Sequence, residues 1–510
     1  MTNTSETTTV EMKWSDINWK SVNRAVFRLQ KRIYKASLNG DIKTVRKLQK
    51  LLVKSKSAKL LAVRKVTQDN TGKNIPGIDG IAKIAQKIKL DGKAKSVRRI
   101  EIPQPKKQEK RPLGIPAMED LAKQVLAKIA LEPEWEARFE ANSYGFRPGR
   151  CPKDAIAAIY SDIKRTSYYV LDAEIEKCFD QINHRRLLDK LNTYPAMRRQ
   201  IKVWLKAGVI EKDVFYKTEN GTPKGGVISP LLANIALHGM QEVLQEVFSE
   251  KYTTYGIQSD INFNPPLFHR YADNFVILHE SKKVIEECQE IINDYLENIG
   301  LKLKDSTTRI AHTLGDGKVQ TGFDYLGFNI RQYLVKDIDS ATDGNGNKLG
   351  FKTVIKPAKE AIKRHTRVLK HTIRLYRNAP QEKLIEMLTP KIREWCNYYD
   401  SVVSSRVFAR MDNILFHQLL RWGYYRAPMQ GKKHIVNKYW GVDKGKGWKF
   451  ITPDGKVLRN HKESGSHGLC HGYTDRSGSG GVAHTDYATD TRIGQEVGEW
   501  LTRIMPRIHG

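Results

Sequence analysis

One short segment of the chain, from Arg270 to Leu278, carries the residues best suited to metal-assisted chemistry. It reads Arg-Tyr-Ala-Asp-Asn-Phe-Val-Ile-Leu, which predicts two short apolar strands joined by a turn that holds Asp273 and Asn274. A carboxylate in such a turn can bind a divalent cation, and paired carboxylates in this position support nucleotidyl transfer. This turn supplies one carboxylate where that reaction uses two. The sequence therefore raises the question of whether a nucleotidyl-transfer site is present and whether it still catalyses.

The charge of the chain identifies the class of its partner. Its 510 residues include 87 Lys and Arg but only 56 Asp and Glu, a net charge of +31, so we expect a polyanionic partner. An anionic membrane surface is the alternative to nucleic acid. No apolar run reaches the roughly 18 residues that a membrane span requires, so no membrane association is expected and nucleic acid is favoured.

The cysteines and the N-terminal residues indicate where the protein acts. Five cysteines are scattered without regular spacing, as is usual in a reducing compartment. The N-terminal residues are polar and poor in basic side chains, which is typical of neither a secretory signal nor a transit peptide. We expect a bacterial cytoplasmic location, with an organelle that makes its own proteins as the alternative.

Residues 1–68 are predicted to form a basic helical extension. Apolar residues recur at spacings of three and four from Val22 to Ala36, and again from Ile42 to Leu52, which is typical of two amphipathic helices. Their other faces are almost purely basic, which favours contact with phosphates over a merely solvated surface. The residues predicted to bind nucleic acid here are Arg24, Arg28, Lys31, Arg32, Lys43, Arg46 and Lys47.

Residues 69–336 mix strands and helices. A buried strand is predicted from Tyr168 to Asp172, and the apolar hairpin is followed by further short strands between 301 and 331. Helices are predicted at 119–140, 183–206, 229–240 and near 283–298. The mixture predicts an α+β fold with a mostly antiparallel sheet. A segment rich in Gly, Asp and Asn, residues 337–350, is predicted to mark a domain boundary.

The C-terminal part divides into a helical region and a tail. Residues 351–440 are predicted to be helical from about 357, with aromatic side chains beside basic ones, including Arg393, Trp395 and Arg421. Aromatic rings and guanidinium planes stack on RNA bases, although aromatic residues also pack helical bundles. The tail, 441–510, is rich in Gly, Ser and His, with a final helix predicted near 491–505. Its Cys and His residues lack the spacing of a zinc site.

Together these residues resemble the proteins encoded within group II introns, which join a reverse transcriptase to a maturase domain. The resemblance covers about Ile17 to Trp448 and rests on motifs in the expected order. These motifs are Ile100–Pro103, Arg111–Pro116, Ser143–Arg150, Gly221–Met240, Tyr325–Phe328 and Arg393–Trp395. The resemblance implies a right-hand reverse transcriptase fold with fingers and palm over 69–336, followed by an α-helical thumb and maturase domain X over 351–440.

The resemblance also implies roles for individual residues. In this family two Mg²⁺ ions are held by three carboxylates during polymerisation, and the corresponding positions are Glu174, Asp273 and Asn274. Glu174 and Asp273 would bind the metal, so Mg²⁺ is the expected cofactor if the chain polymerises. Contacts near the incoming nucleotide are implied for three further residues, Arg111, Phe179 and Lys224.

Five positions around this centre depart from the family pattern. Glu174 and Asn274 both stand where the family has Asp, which lengthens one ligand by a methylene and removes the charge of another. A misplacement of about 1 Å can cost about 100-fold in rate. The other changes are Gln104 for Lys, Lys224 for Gln, and Ser306–Thr308 for Glu-Lys-Thr. The pattern predicts weak or absent polymerisation, and whether the chain is an enzyme stays open at this point.

The sequence thus predicts a maturase that binds structured group II intron RNA and assists its splicing. The first alternative is an active RNA-directed DNA polymerase that supports intron mobility, and the second is an RNA-binding protein that serves several introns or another RNA. The expected partners are intron RNA and, in a ribonucleoprotein, a DNA target. Many relatives end in a DNA endonuclease with His and Cys residues. No such pattern follows Trp448, so target cleavage by this chain is not expected.

Overall fold

The computed structural model describes residues 14–68, 85, 87–102, 111–211, 214–222, 225–254, 264–443 and 447–464. The predictions for Gln104, Lys224 and the tail beyond 464, including its final helix, lie outside the described residues. None of the described helices combines the length with the apolar character that a bilayer crossing demands.

Helices and strands alternate in the first part of the described chain, and helices dominate after residue 358. The helices, in chain order, are α1 Trp19–Leu38, α2 Ile42–Lys54, α3 Lys56–Thr67, α4 Met118–Glu136, α5 Pro152–Ile163, α6 Cys178–Gln181, α7 His184–Leu191, α8 Pro195–Leu205, α9 Ser229–Leu237, α10 Met240–Thr254, α11 Lys282–Asn298, α12 Lys359–Leu375, α13 Gln381–Tyr399, α14 Ser405–Arg426 and α15 Lys432–Tyr439. The strands are β1 Val97–Ile102, β2 Arg111–Ile115, β3 Tyr169–Glu174, β4 Val209–Glu211, β5 Val214–Tyr216, β6 Leu267–Tyr271, β7 Asn274–His279, β8 Arg309–His312, β9 Gln320–Thr321, β10 Phe323–Tyr325, β11 Phe328–Leu334, β12 Phe351–Pro357, β13 Trp440–Val442 and β14 Trp448–Phe450. The predicted α+β class is confirmed.

The N-terminal helices α1, α2 and α3 pack against α4. Each begins at a polar side chain that accepts a hydrogen bond from the backbone N–H three residues later, and these side chains are Asn18, Asp41 and Ser55. The apolar faces of α1 and α2 are buried as predicted. Ile42 is the exception, since it is the first residue of α2 and is 46% exposed.

Two of the sheets in the described residues hold the strands from β1 to β9. The first has the strand order β2-β1-β4-β5, with β1 antiparallel to β2 and parallel to β4. The second has the order β6-β7-β3-β8-β9 and is antiparallel except between β8 and β9. Its central strand β3 is covered on both faces, because Leu171 packs into one core cluster and Val170 into the other. A strand covered on both sides is held rigidly, and this strand ends at Glu174.

The helix predicted over 229–240 corresponds to α9, and a second helix follows it directly. Helix α9 ends at Leu237 and α10 begins at Met240. Gly239 between them has a φ of +98°, a conformation that favours glycine and that a continuous right-handed helix excludes. The apolar pattern continues across both helices, so periodicity alone does not reveal the break.

The segment 337–350, predicted as a domain boundary, joins two strands of one sheet. Strands β11 and β12 pair in antiparallel register, with Leu334 opposite Phe351 and Phe328 opposite Pro357. Residues rich in Gly, Asp and Asn suit a hairpin loop as well as a linker, which explains why composition did not distinguish the two. The change to helical structure comes after β12, at α12.

Candidate functional site

Glu174, Asp273 and Asn274 lie together at one end of the second sheet. Glu174 is the last residue of β3 and is paired with Asn274, the first residue of β7. The backbone N–H of Ile175 donates to the carbonyl oxygen of Asp273 at 2.9 Å. The structure therefore brings together the three residues that the sequence placed at the reacting centre.

The turn that holds Asp273 is braced by the segment Ser143–Arg150. The N–H of Tyr144 donates to the carbonyl oxygen of Arg270 at 2.8 Å. Gly145 lies so close to the turn that a Cβ there would come within 2.3 Å of the backbone nitrogen of Ala272. Ala272 itself has a φ of +58°. A glycine is needed at position 145 because its backbone and that of Ala272 meet at the base of the turn.

Arg270 anchors the same turn from inside. Its side chain is fully buried and its Nη1 donates to Asn234 Oδ1 at 3.1 Å and to the carbonyl oxygen of Ala272 at 3.3 Å. Glu140 lies 3.8 Å from Arg270 Nη2. Burial opposes ionisation of Glu140, but its hydrogen bond to His238 and the charge of Arg270 outweigh burial and lower its pKa to about 2. The turn is therefore tied to α9 through an ionised interior network.

Both carboxylates of the site already have a donor from the protein. Lys304 Nζ lies 2.6 Å from Glu174 Oε2, and Asn274 Nδ2 donates to Asp273 Oδ1 at 3.2 Å. Burial raises the pKa of Asp273, and the neighbouring charge of Glu174 acts in the same direction. A further carboxylate on β3, Asp172, accepts two hydrogen bonds from Arg309 at 2.9 and 2.7 Å. It therefore does not supply the carboxylate missing at position 274.

This donor set does not fit a pair of divalent cations. Two Mg²⁺ ions need several hard oxygen ligands, and here one carboxylate is engaged by an ammonium group while the third position offers a neutral amide. Within the described ranges, no group of three or more His, Cys, Asp and Glu side chains is arranged to hold a metal ion. In this arrangement one carboxylate is paired with a lysine and the other accepts a hydrogen bond from an amide.

The residues expected near an incoming nucleotide are placed as follows. Phe179 is half-buried in α6, five residues after Glu174, and its ring meets that of Phe146 edge-on at 6.0 Å. The backbone of Arg111 opens β2 opposite Ile102. Lys224 is among the residues that the structure does not describe. Roles for these residues in nucleotide binding stay predictions.

Six of the seven basic residues predicted on α1 and α2 are exposed. They are Arg24, Arg28, Lys31, Arg32, Lys43 and Lys47. Arg46 differs, because its Nη1 lies 2.6 Å from Glu134 Oε2, a side chain of α4 that is completely buried. Its other terminal nitrogen donates to the carbonyl oxygen of Asn192. Arg46 is thus engaged in holding α2 to the rest of the protein.

The residues predicted to bind RNA in the helical region also differ in exposure. Arg393 on α13 and Arg421 on α14 are exposed. Trp395 instead stacks on His365 of α12, with ring centroids 4.5 Å apart and planes within 1° of parallel. Trp395 therefore packs the helical bundle, the alternative that the sequence left open for its aromatic residues.

Sequence reasoning missed Lys304 and Arg270. A signal for Lys304 was present, because it stands only a few residues before Ser306–Thr308, where the expected lysine is absent. Its partner Glu174 is 130 residues away in the chain, so the pairing itself had no sequence signature. The burial of Arg270 likewise depends on packing that a local pattern does not reveal.

Comparison with known proteins assigns most of the chain. Residues 14–95 match the N-terminal domain of reverse transcriptase, residues 102–330 the reverse transcriptase (RNA-dependent DNA polymerase), and residues 362–440 the group II intron maturase-specific domain. The predicted resemblance is confirmed, as is the reverse transcriptase fold followed by a helical maturase region.

Individual relatives agree with this assignment. Protein YkfC of Escherichia coli is 29% identical over 319 residues, which are 53% of this chain and 80% of YkfC. Group II intron-encoded protein LtrA of Lactococcus lactis is 34% identical over 223 residues, 42% of this chain and 36% of LtrA. An uncharacterized 91 kDa protein in a cob intron of Schizosaccharomyces pombe is 28% identical over 274 residues, 43% of this chain and 32% of that protein. The matches span only about a third of the latter two.

Proposed function

Because this chain belongs to the reverse transcriptases that carry a group II intron maturase-specific domain, we propose that it binds structured intron RNA and assists its splicing while polymerising weakly or not at all. The RNA would carry out its own transesterification. The protein would stabilise the folded RNA by binding it more tightly than unfolded forms.

The basic surfaces support the RNA-binding part of the proposal. The exposed arginines and lysines of α1 and α2 point away from the core, and the net charge of +31 gives a strong long-range attraction for phosphates. Arg393 and Arg421 add exposed guanidinium groups on the maturase region. A DNA target within the intron ribonucleoprotein and a bacterial cytoplasmic location are further parts of the proposal that rest on the sequence.

The single observation that carries the weak-polymerase part is the pairing of both remaining carboxylates with donors of the protein. Reverse transcriptases use Mg²⁺ when they are active. Here Lys304 binds Glu174 and the amide of Asn274 binds Asp273, so the groups that should ligate the ions are engaged.

A second candidate function, RNA-directed DNA synthesis, is favoured by one observation. Glu174 and Asp273 remain adjacent at the strand ends, and Phe179 lies five residues after Glu174, where the resemblance implies a contact near the incoming nucleotide. If the ion pair with Lys304 opened, the carboxylates of Glu174 and Asp273 would both be free to bind a cation at this end of the sheet. Primer extension distinguishes the two functions.

Primer extension on an RNA template with Mg²⁺ or Mn²⁺ tests the proposal, alongside binding and splicing of the intron RNA by the same purified chain. We expect RNA binding and assisted splicing without detectable cDNA. An Asp273→Ala variant should splice as well as the native chain. Robust cDNA from the native chain, abolished by Asp273→Ala, would establish the second function instead. A variant restored to Asp at both 174 and 274 shows whether ligand identity limits synthesis.

A further inference from the structure

We infer that Lys304 is a built-in counter-ion that replaces a metal ion at the palm carboxylates, so that this site is assembled without any divalent cation. The inference rests on the proposed loss of polymerisation and goes further, because it names the group that has taken over the structural role of the metal. It concerns this chain's own residues and involves no reaction step.

The backbone places Lys304 directly across from Glu174. The N–H of Lys304 donates to the carbonyl oxygen of Glu174 at 2.9 Å, and the N–H of Glu176 donates to that of Lys302 at 2.9 Å. Ile175 and Leu303 form an antiparallel bridge between them. Since the main chain sets this register, the Lys304 side chain begins beside its partner and does not depend on a chance surface contact.

The segment that follows Lys304 supports it from behind. The backbone N–H groups of Thr307 and Thr308 both donate to the carbonyl oxygen of Lys304 at 3.0 Å. The hydroxyl groups of the same two residues donate to that oxygen at 3.2 and 3.0 Å. Four donors thus converge on one carbonyl oxygen. The stretch that lost the family's lysine, Ser306–Thr308, now forms a turn that fixes the position of Lys304.

The negative charge of the site is reduced without a metal. Glu174 and Asp273 lie at the same sheet end and would repel each other if both were ionised and unpaired. Lys304 supplies one positive charge to Glu174 and Asn274 supplies a neutral donor to Asp273. An Asp at 274 would instead add a third negative charge. The exchange of that Asp for Asn and the presence of Lys304 therefore act in the same direction.

The length of Glu174 fits the same explanation. An Asp at this position would end one methylene earlier and would retract its carboxylate from Lys304 Nζ, which now lies 2.6 Å away. Two residues earlier on the same face of β3, Asp172 is paired with Arg309 in a comparable way. Each carboxylate on this face of β3 thus has a cation from the chain segment after residue 300.

Mn²⁺ binding to the full-length chain, followed by electron paramagnetic resonance without RNA or nucleotide, tests the inference. The critical variant is Lys304→Met, which keeps side-chain length and removes the charge. The matched control is Lys302→Met, because Lys302 lies two residues away and pairs with Glu176 at 3.0 Å outside the carboxylate pair. We expect Lys304→Met to bind one additional Mn²⁺ at least about tenfold more tightly than the native chain, an effect equal to about 1.4 kcal/mol. Lys302→Met should bind Mn²⁺ like the native chain.

A third variant locates the new ion. Adding Asp273→Asn to Lys304→Met should remove the gain in Mn²⁺ affinity, because a carboxylate of the pair is then lost. Equal Mn²⁺ affinity of the native chain and Lys304→Met would overturn the inference. A gain that survives Asp273→Asn would do so as well, since the ion would then lie elsewhere.

The native chain provides a second test. Its thermal unfolding midpoint should be the same in EDTA and in Mn²⁺, because Lys304 already occupies the place of a cation beside Glu174. A rise of several degrees in Mn²⁺ that Asp273→Asn abolishes would show a resident metal site and contradict the inference. Neither measurement uses DNA synthesis, so a polymerase-active native chain would refute the proposed function without deciding the role of Lys304.

Discussion

His365, on α12, shows how one buried side chain can make stability depend on pH. Its Nε2 lies 3.0 Å from Nε2 of His461, whose Nδ1 in turn lies 2.7 Å from Asp412 Oδ1. One face of the His365 ring is covered by Trp395. Burial, aided by His461, lowers the pKa of His365 to about 3. His365 is therefore neutral in the folded protein and takes up a proton only on unfolding at mildly acidic pH.

The free energy of unfolding should consequently fall as the pH drops below about 6.5, the ordinary pKa of an unfolded histidine. Between that value and the folded pKa, the unfolded chain binds one more proton, so stability is lost at up to about 1.4 kcal/mol per pH unit. Denaturant unfolding at pH 6.5 and pH 5 should therefore differ by about 2 kcal/mol more in the native chain than in a His365→Gln variant. The same difference in both proteins would show that His365 does not cause it.

Helix α2 directs two consecutive basic residues differently, one toward the protein and one toward solvent. Arg46 pairs with the buried carboxylate of Glu134 on α4, whereas Lys47 is exposed one position further along the helix. A charge run in the sequence treats the two residues alike. The difference arises because successive residues of a helix point about 100° apart, so only one of them faces α4.

Replacing each residue by Met should separate stability from RNA binding. Arg46→Met should lower the free energy of unfolding by about 2 kcal/mol, because the buried carboxylate of Glu134 then keeps only the amide of Gln49 at 2.7 Å and Arg138 at 3.8 Å. Lys47→Met should change stability by less than about 0.5 kcal/mol. In filter-binding titrations with intron RNA, Lys47→Met should weaken binding and reduce the slope of log Kd against log salt concentration by about 1. Arg46→Met should leave that slope unchanged. The opposite pattern would place Arg46 at the RNA.

On the scale of the whole molecule, part of the excess positive charge lies along one side of helix α1. Helix α1 buries its apolar face against α4 and exposes Arg24, Arg28 and Arg32 along the opposite side. Counterions released from RNA phosphates make such binding steeply dependent on salt. The arrangement predicts that RNA phosphates bind along α1 and are not attracted by net charge alone.

A charge-matched comparison tests this surface. Changing Arg24, Arg28 and Arg32 to Gln should reduce the slope of log Kd against log salt concentration by about 2 to 3 for intron RNA. The control changes three other exposed cations to Gln and removes the same total charge; these are Lys318, Lys336 and Lys348. We expect the control to alter the slope by less than about 1. Equal effects of the two triple variants would mean that net charge, and not the surface of α1, determines binding.

Much of this protein could be predicted from the sequence because the relevant signals are local. The spacing of apolar residues from Val22 to Ala36 predicted α1 and its buried face, and alternation around Asp273 predicted the β6–β7 hairpin. The order of the motifs predicted the family resemblance that the comparisons confirm. The same motifs brought Glu174, Asp273 and Asn274 to one candidate site, where the structure places them.

Only the tertiary structure decided which partner each charged or aromatic side chain has. Lys304 meets Glu174 across 130 residues, and Arg46 meets Glu134 across 88 residues. Trp395 lies against His365 on another helix, and the loop 337–350 closes a hairpin through strand pairing. Periodicity reports which face of an element is buried, but not which element covers it or in what register. Those contacts depend on the packing of distant segments, and they decide that Glu174 pairs with Lys304.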